Sequence, residues 1–408
     1  MPTGLPRNIL IAPSGFKESL DANQVADAIA AGVRRVLAGA RIKTVPMADG
    51  GEGTAETLAQ ATGGSIVHRE VTGPVGEPVS SHYALLGGTA EGTAVVEMAA
   101  AAGLRLVPRD MRDPGATTTY GVGELIAAAL DSGVKDVLLG CGDSGTSDGG
   151  MGALQALGVK VLDAQGNEIG LGGRHLGDVD RLDISGLHPA LKDGSATITL
   201  ALNPHNVLTG PSGVARVFGP QKGATPEQVE ELSAGFDNWA EVLRRDCVES
   251  ARGRDFALGR GTGASGGLGA GMAAIGANLV SRFEALLDSG LAGIDMDRLL
   301  TGADLVITAE GAIDFQTPKG KVPAEIARRA GSHGVPVVAL AGTLGQGARD
   351  VHDVGIDAMA SIVSVPMSLE EAVRNGDKLL IDATERLLRT LVLGATIAIR
   401  QLEGDTEW

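Results

Sequence analysis

The pattern that most constrains the fold is a short apolar run that ends in a loop and is followed by residues at helical spacing. The first apolar run covers residues 8–13. The helical spacing that follows it is carried by Val25, Ile29, Val33 and Leu37. Because the pattern repeats along the chain, it indicates βαβ units with parallel strands.

The same reasoning places the remaining elements. Strands are predicted at residues 42–46, 65–71, 136–139, 197–201, 304–308, 336–340 and 358–363. Helices are predicted at residues 54–60, 123–130, 228–243, 274–287 and 323–330, and in one long final segment from about residue 368. Residues 72–78 are rich in turn formers, and the stretch that follows to residue 99 has the pattern of a hairpin.

This interruption and the later return of the strand–helix rhythm predict an α/β protein of two domains. Both chain ends, residues 1–71 and 295–408, are expected to form a Rossmann-like parallel-sheet domain. Residues 72–294 are expected to form an inserted mixed α/β domain. The cleft between the two domains is the expected ligand site.

Composition narrows the functional classes. The chain of 408 residues carries a net charge of −16, which disfavours non-specific attraction to nucleic acid. Its two cysteines, Cys141 and Cys247, lie far apart and show no metal or disulfide spacing. The apolar stretch 391–399 is much shorter than the roughly 20 residues that span a bilayer. We therefore expect a cytoplasmic protein with no nucleic-acid or membrane partner.

Two glycine-rich segments, residues 48–54 and 261–271, could present backbone N–H groups to a phosphate. Tight turns and close packing would equally explain their glycines, including Gly266 and Gly267. Asp49 and Glu52 follow a predicted strand, where carboxylates commonly hold Mg²⁺ or orient a hydroxyl. The alternative for this pair is capping of the next helix.

Two further loops carry polar residues at the ends of apolar strands. In residues 140–150, Ser144, Thr146 and Asp148 could grip an anion or a metal. In residues 308–321, a second polar set crowds one loop, made of Glu310, Asp314, Gln316 and Lys321. Lys17 and Lys222 are cations that could offset phosphate charge, although a lone lysine is usually just exposed. The sequence has no Walker P-loop motif and no HExxH motif.

Several short strings, taken in order, resemble those of the bacterial glycerate kinase family. They are MADGGEGT (47–54), VTGP (71–74), VEMA (96–99), TYG (119–121), FGPQKGA (218–224), SGGLGAG (265–271) and PMSLEEA (366–372). The resemblance runs over about residues 8–395. It implies a Rossmann-like domain interleaved with a second α/β domain, D-glycerate or a related hydroxy acid bound as a small carboxylate substrate, and ATP with Mg²⁺ as phosphoryl donor. A homodimer is a further expectation.

The resemblance also implies roles for individual residues. Catalysis is expected from Lys17, Asp49, Asp148 and Asp314, and metal binding from Asp49 and Asp148. Substrate or nucleotide binding is expected from Ser14, Glu52, Ser144, Thr146, Asn203, Lys222, Gly266, Gly267, Glu310, Gln316 and Lys321.

The chain departs from the family motifs at several positions. It has Ser14 and Gly15 in place of Asp and Ser, a new carboxylate at Asp143, Asn203 in place of Asp, and Ala312 in place of Arg. Phosphoryl transfer depends on cations that neutralise the transferred group, so we expect phosphorylation of D-glycerate to be weak. Two alternatives stay open: a lyase, isomerase or hydrolase on the same scaffold, or a catalytically silent binding protein.

Overall fold

The computed structural model describes residues 5–16, 19–47, 50–291 and 294–402. The predicted catalytic residues Lys17 and Asp49 lie outside these described residues. The strands are β1 (Asn8–Ile11), β2 (Arg41–Thr44), β3 (Ser65–Thr72), β4 (Pro78–Leu85), β5 (Thr93–Glu97), β6 (Asp136–Gly140), β7 (Lys160–Leu162), β8 (Arg181–Asp183), β9 (Thr197–Leu202), β10 (Asn278–Ser281), β11 (Leu305–Ile313), β12 (Val337–Leu344) and β13 (Ala358–Ser361).

The α-helices alternate with these strands along most of the chain. They are α1 (Ala22–Val36), α2 (Thr54–Thr62), α3 (Met98–Ala102), α4 (Tyr120–Asp131), α5 (Met151–Ala156), α6 (Pro189–Lys192), α7 (Val214–Phe218), α8 (Pro226–Asp246), α9 (Ala264–Ala274), α10 (Met296–Thr301), α11 (Val322–Ser332), α12 (Leu369–Arg374) and α13 (Gly376–Leu402). No described helix is both long and apolar enough to cross a bilayer.

A five-stranded parallel sheet combines strands from both ends of the chain in the order β13-β12-β11-β1-β2. Ile9 of β1 pairs with Leu305 on one side and with Ile42 on the other. The last three residues of β1 are buried, as expected for a central strand covered on both faces. The predicted parallel sheet built from both chain ends is therefore confirmed.

Helices α1 and α13 pack closely beside this sheet. Asp21 caps α1 by accepting a hydrogen bond from the N–H of Gln24, whose side chain bonds back to the Asp21 N–H. At Gly32 of α1, an added Cβ would lie 2.6 Å from the Thr384 Cβ of α13. Only glycine fits this crossing without a shift of one helix.

The second large sheet has six strands in the order β10-β9-β6-β5-β4-β3. β3, β4 and β5 pair antiparallel, while β5, β6, β9 and β10 pair parallel. The predicted hairpin after residue 71 corresponds to the antiparallel half. This mixed sheet confirms the predicted fold class of a parallel-sheet domain with a mixed α/β insertion.

The chain divides into two compact units. The terminal unit comprises Met1–Ala48 and Asp295–Trp408, and the inserted unit comprises Asp49–Ile294. The first boundary differs from the expected position near residue 71. The physical reason is that β3 adds to the edge of the mixed sheet through β4, while α2 packs on that sheet, so both belong to the insertion.

The predicted helix over residues 274–287 is wrong. Helix α9 ends at Ala274, and Gly276 takes a φ of +94°, which stops a right-handed helix. The apolar residues beyond it enter β10, which pairs parallel with β9, and a π-helical turn follows at Glu284–Asp288. The predicted long final helix is divided at Asn375 into α12 and α13.

Candidate functional site

In the inserted unit, the loop after β6 approaches the loop before α2 through their backbones. A Cβ added at Gly140 would lie 2.6 Å from the Gly50 carbonyl oxygen. A Cβ added at Gly142 would lie 2.8 Å from the Gly51 Cα. These glycines therefore allow residues 50–53 and 140–150 to lie against each other beyond the carboxyl end of β6. Parallel α/β sheets commonly bind ligands at this end of their strands.

The loop of residues 140–150 also contacts the start of α9. Ser265, Gly266 and Gly267 take left-handed φ values of 51°, 71° and 89° in succession. A Cβ at Gly266 would lie 1.9 Å from the Thr146 carbonyl oxygen, and the Gly149 N–H donates to the Gly266 carbonyl at 3.0 Å. Gly266 and Gly267 are buried and serve this close approach, so their ligand-binding role stays a prediction.

Asp148 is fully buried beside this contact. Its carboxylate accepts hydrogen bonds from the Thr119 N–H at 2.7 Å and the Thr119 hydroxyl at 2.9 Å. The N–H groups of Gly150 and Gly152 add bonds of 3.1 and 3.3 Å, so both carboxylate oxygens accept from the chain itself. Burial raises the pKa of Asp148, which these donors oppose. The Asp148 carboxylate thus connects the N-termini of α4 and α5 by hydrogen bonds.

Lys222 reaches the same loop from the segment after α7. Its side chain is buried, and Nζ donates to the Ser144 hydroxyl at 2.9 Å and to the Thr146 carbonyl at 2.6 Å. Burial lowers the pKa of Lys222 to about 7, against the attraction of the nearby Asp148 carboxylate. The structure excludes the alternative of a simply exposed lysine, because Lys222 is buried and contacts the half-buried Ser144.

Three other residues of the inserted unit lie on loops near strand ends. Glu52 is half exposed and forms an ion pair with Arg105 at 3.1 Å. Asn203 follows β9 and accepts a hydrogen bond from the His205 N–H at 3.0 Å. Asp143 takes a left-handed φ of 51°, so its backbone conformation is unusual for a residue with a side chain.

In the terminal unit, the predicted residues gather around the end of β11. Ser14 is buried, and its hydroxyl donates to the Ala309 carbonyl at 3.1 Å. Lys321 Nζ lies 3.3 Å from Glu310 Oε1 and 3.5 Å from Asp314 Oδ1. Two carboxylates thus share one ammonium group. The side chain of Gln316 is exposed, while its N–H donates to Asp314 Oδ1 at 2.8 Å.

The structure therefore brings the predicted residues together in two groups, one in each unit. The inserted unit combines Ser144, Thr146, Asp148, Lys222 and Gly266. The terminal unit combines Glu310, Asp314, Gln316 and Lys321. The expectation that both groups face one cleft stays a prediction.

Glu97 is a buried carboxylate that the site prediction missed. It is 1% exposed at the end of β5 and accepts a hydrogen bond from the Ala55 N–H, at the start of α2, at 2.7 Å. Burial raises the pKa of Glu97 to about 7. The signal was present in the sequence, because this is a carboxylate within the otherwise apolar run 94–102.

Comparison with known proteins finds relatives that match almost the whole chain. A sequence model of the glycerate kinase family matches residues 9–392. Glycerate kinase from Bacillus subtilis strain 168 is 43% identical, covering 94% of this chain and 99% of that protein. Glycerate 2-kinase from Escherichia coli K12 is 43% identical, covering 95% of this chain and 98% of that protein.

A solved structure is similar over the same range. The crystal structure of glycerate kinase 2 from Salmonella typhimurium LT2 matches with a TM-score of 0.73 and 41% identity, covering 95% of this chain and 98% of that one. Fold and sequence together define a kinase, a phosphotransferase of the α/β class. The chain belongs to the glycerate kinase family, which confirms the resemblance stated from its motifs. The comparisons give no support to a lyase, isomerase or hydrolase.

Proposed function

We propose that this protein transfers the γ-phosphoryl group of ATP to a hydroxyl of D-glycerate. The observation that carries the proposal is the 43% identity to a glycerate 2-kinase across 95% of this chain. In this reaction the hydroxyl oxygen forms a bond to the γ-phosphorus, and the bond to the oxygen that bridges the β- and γ-phosphates breaks. ADP leaves, and the hydroxyl proton passes to a base. The name of that relative favours the hydroxyl on carbon 2.

The inserted unit is proposed to bind an anionic group of the substrates. Transfer of a phosphoryl group requires charge stabilisation by fixed cations and donors. Lys222 supports this role because its ammonium is held by Ser144 and by the Thr146 carbonyl, which restrict its position. An anion beside Ser144 would favour the charged form of Lys222, so binding and protonation would assist each other.

The terminal unit is proposed to bind Mg²⁺. Carboxylate oxygens are the ligands that Mg²⁺ prefers, and Glu310 and Asp314 already surround the Lys321 ammonium at 3.3 and 3.5 Å. Because both carboxylates already contact the Lys321 ammonium, their arrangement suits a positive ion. Bound Mg²⁺ would neutralise charge on the nucleotide phosphates. When no metal is bound, the Lys321 ammonium would neutralise part of the negative charge of the two carboxylates.

Asp148 is proposed to position the loop instead of holding metal. Both of its oxygens accept from N–H or O–H groups, which leaves them poorly suited to a cation. Lys17 and Asp49 are retained as proposed catalytic residues on the resemblance alone, with Asp49 as acceptor of the hydroxyl proton. Ser14, Glu52, Asn203 and Gln316 are retained in the same way as substrate or nucleotide contacts.

A panel of small hydroxy acids, incubated with and without Mg-ATP and analysed by mass spectrometry, tests the proposal. We expect a phosphorylated product from D-glycerate that appears only with Mg-ATP. Lys222→Met should reduce its rate by about 100-fold, the effect of losing one preorganised donor. Lys192→Met is the matched control, because Lys192 also donates to a carbonyl, that of Ser185 at 2.8 Å, but is exposed.

Two outcomes would contradict the proposed function. One is conversion of a hydroxy acid without ATP, which would indicate another enzyme class. The other is a Lys222→Met variant that retains the native rate. Should that variant fail to fold, Ser144→Ala removes the hydroxyl that contacts Lys222 and keeps the lysine side chain in place, and a reduced rate is again expected.

A further inference from the structure

We propose that Glu56, His82 and Glu97 form a binding site for one divalent transition-metal ion, with Zn²⁺ as the best fit. The three side chains come from different elements of the inserted unit: Glu56 from α2, His82 from β4 and Glu97 from β5. The site adjoins the loop of residues 50–53, because Glu97 also accepts a hydrogen bond from the Gly53 N–H. It does not depend on the identity of the phosphorylated substrate.

The ligand atoms are already close enough to share an ion. One atom from each of the three side chains lies within 4.8 Å of the other two. His82 Nε2 lies 3.0 Å from Glu56 Oε1. For Zn²⁺ bonds of about 2.0–2.1 Å to nitrogen and oxygen, tetrahedral ligand atoms are about 3.3 Å apart, so separations of up to 4.8 Å would shorten towards this value on binding.

His82 supplies an independent indication of a ligand. Its Nε2 atom is buried and forms an ion pair with Glu56 Oε1 at 3.0 Å, but among the described residues it makes no hydrogen bond of standard geometry. A buried polar atom usually has a well-aligned partner, so such an atom calls for an explanation. A metal ion accepts the nitrogen lone pair directly and requires no donor–acceptor alignment between the ring and the carboxylate.

Glu97 supplies the buried negative charge. It is 1% exposed and accepts a hydrogen bond from the Ala55 N–H at 2.7 Å, which orients the carboxylate. Ligands of metal ions are commonly held in this way by an outer hydrogen bond. A divalent ion between Glu97 and Glu56 would offset the cost of burying a carboxylate beside a second one.

The surroundings favour an accessible site with mixed nitrogen and oxygen ligands. The side chain of Glu56 is 52% exposed, so an ion can enter from solvent. His68 pairs with His82 across β3 and β4, with ring centroids 6.0 Å apart, and is exposed at the rim. An imidazole with two carboxylates suits Zn²⁺ and its neighbours better than Mg²⁺, which prefers oxygen alone.

Metal binding by the full-length, metal-stripped chain tests the site. Zn²⁺ and Mg²⁺ are titrated separately by calorimetry, and Co²⁺ is added as a spectroscopic probe of coordination. We expect one Zn²⁺ per chain, a visible Co²⁺ absorption of four-coordinate intensity, and much weaker binding of Mg²⁺ at this site. His82→Ala should weaken Zn²⁺ binding at least about tenfold, and Glu56→Gln should do the same.

His188→Ala is the matched control. His188 also faces a carboxylate, with Nε2 3.2 Å from Asp131 Oδ1, and this variant should retain native Zn²⁺ affinity. Glu56 is largely exposed, so Glu56→Gln should fold normally, and circular dichroism verifies the fold of each variant. Zn²⁺ binding that is absent, or equal in the native chain, His82→Ala and Glu56→Gln, would overturn the proposal. If the native chain binds Zn²⁺ but does not phosphorylate D-glycerate, the proposed function is contradicted and the Zn²⁺ site is not.

Discussion

The ammonium of Lys222 donates to the carbonyl oxygen of Thr146 at 2.6 Å, inside the inserted unit and away from solvent. A second bond to Ser144 fixes the same nitrogen to the loop of residues 140–150. Because burial lowers the pKa of Lys222 to about 7, the loop is in contact with a group that changes charge near neutral pH.

The pH dependence of stability follows from this pKa. Below about pH 7 the lysine is charged in both the folded and unfolded states, and the cost of burying the ammonium is fully present. Between about pH 7 and the ordinary value of 10.5, the unfolded chain binds more protons, so the free energy of unfolding rises with pH. One proton limits the slope to about 1.4 kcal/mol per pH unit.

Urea unfolding of the native chain and of Lys222→Met between pH 6 and 9.5 measures this effect. The stability of the native chain relative to the variant should be constant below about pH 7 and should increase above it. A difference that stays constant across the whole range would show that Lys222 keeps its proton.

Asp148→Asn should lower the free energy of unfolding but leave the Mg²⁺ requirement of the reaction almost unchanged. The amide nitrogen would face the N–H groups of Thr119, Gly150 or Gly152, so we expect a loss of about 3 kcal/mol in the free energy of unfolding. The Mg²⁺ concentration for half-maximal phosphorylation should stay close to native in the folded fraction. Asp314→Asn should show the reverse, with a several-fold higher Mg²⁺ requirement and little change in stability. If the Mg²⁺ requirement rose in Asp148→Asn and not in Asp314→Asn, Asp148 and not Asp314 would be the metal ligand.

Gly32→Ala tests the packing of α1 on α13. The new Cβ would lie 2.6 Å from the Thr384 Cβ and 2.7 Å from the Ile381 carbonyl oxygen, so the helices must separate. We expect a loss of about 1–3 kcal/mol, measured by thermal or urea unfolding. Gly394→Ala in α13 meets nothing within 4 Å and should be neutral or stabilising by up to about 1 kcal/mol. Equal effects of the two changes would contradict the close contact of α1 and α13 seen at Gly32.

The departures from the family motifs give a fourth prediction. Ala312→Arg combined with Asn203→Asp restores the family residues and should raise kcat/KM for D-glycerate at least about tenfold. The gain should stay below the 10³–10⁵ of an arginine finger, because Lys321 already lies 3.1 Å from the Ala312 carbonyl and provides a cation there. Fast native turnover that the double replacement fails to improve would show that these departures carry no functional loss.

The sequence was most informative where apolar runs end in glycine-rich loops. Strands could be assigned to residues 136–139 and 304–308 because a buried parallel strand requires a continuous apolar run, and the structure places β6 and β11 there. The loop with Ser144 could be placed after β6 for the same reason, whereas Glu310, expected in a loop, lies within β11, which continues to Ile313. The boundary at Asp49 could not, because β3 has the local pattern of any strand and only its pairing with β4 assigns it to the insertion.

Individual side-chain environments were less predictable. A lone lysine is usually solvated, and nothing near Lys222 in sequence indicates that Ser144 and Thr146 enclose it. Asp148 has the sequence context of a ligand-binding carboxylate, but its donors come from the distant Thr119 and from its own loop. Such contacts are set by tertiary packing, which the local pattern does not encode.

Steady-state release of ADP, measured with the native chain, Mg-ATP and D-glycerate, tests whether this protein phosphorylates D-glycerate. We expect ADP formation that depends on D-glycerate, with one phosphoglycerate formed for each ADP. Enolase added to the product should convert it without a mutase if carbon 2 is phosphorylated. ADP release that is the same with and without D-glycerate, or that yields no phosphoglycerate, would contradict the assignment.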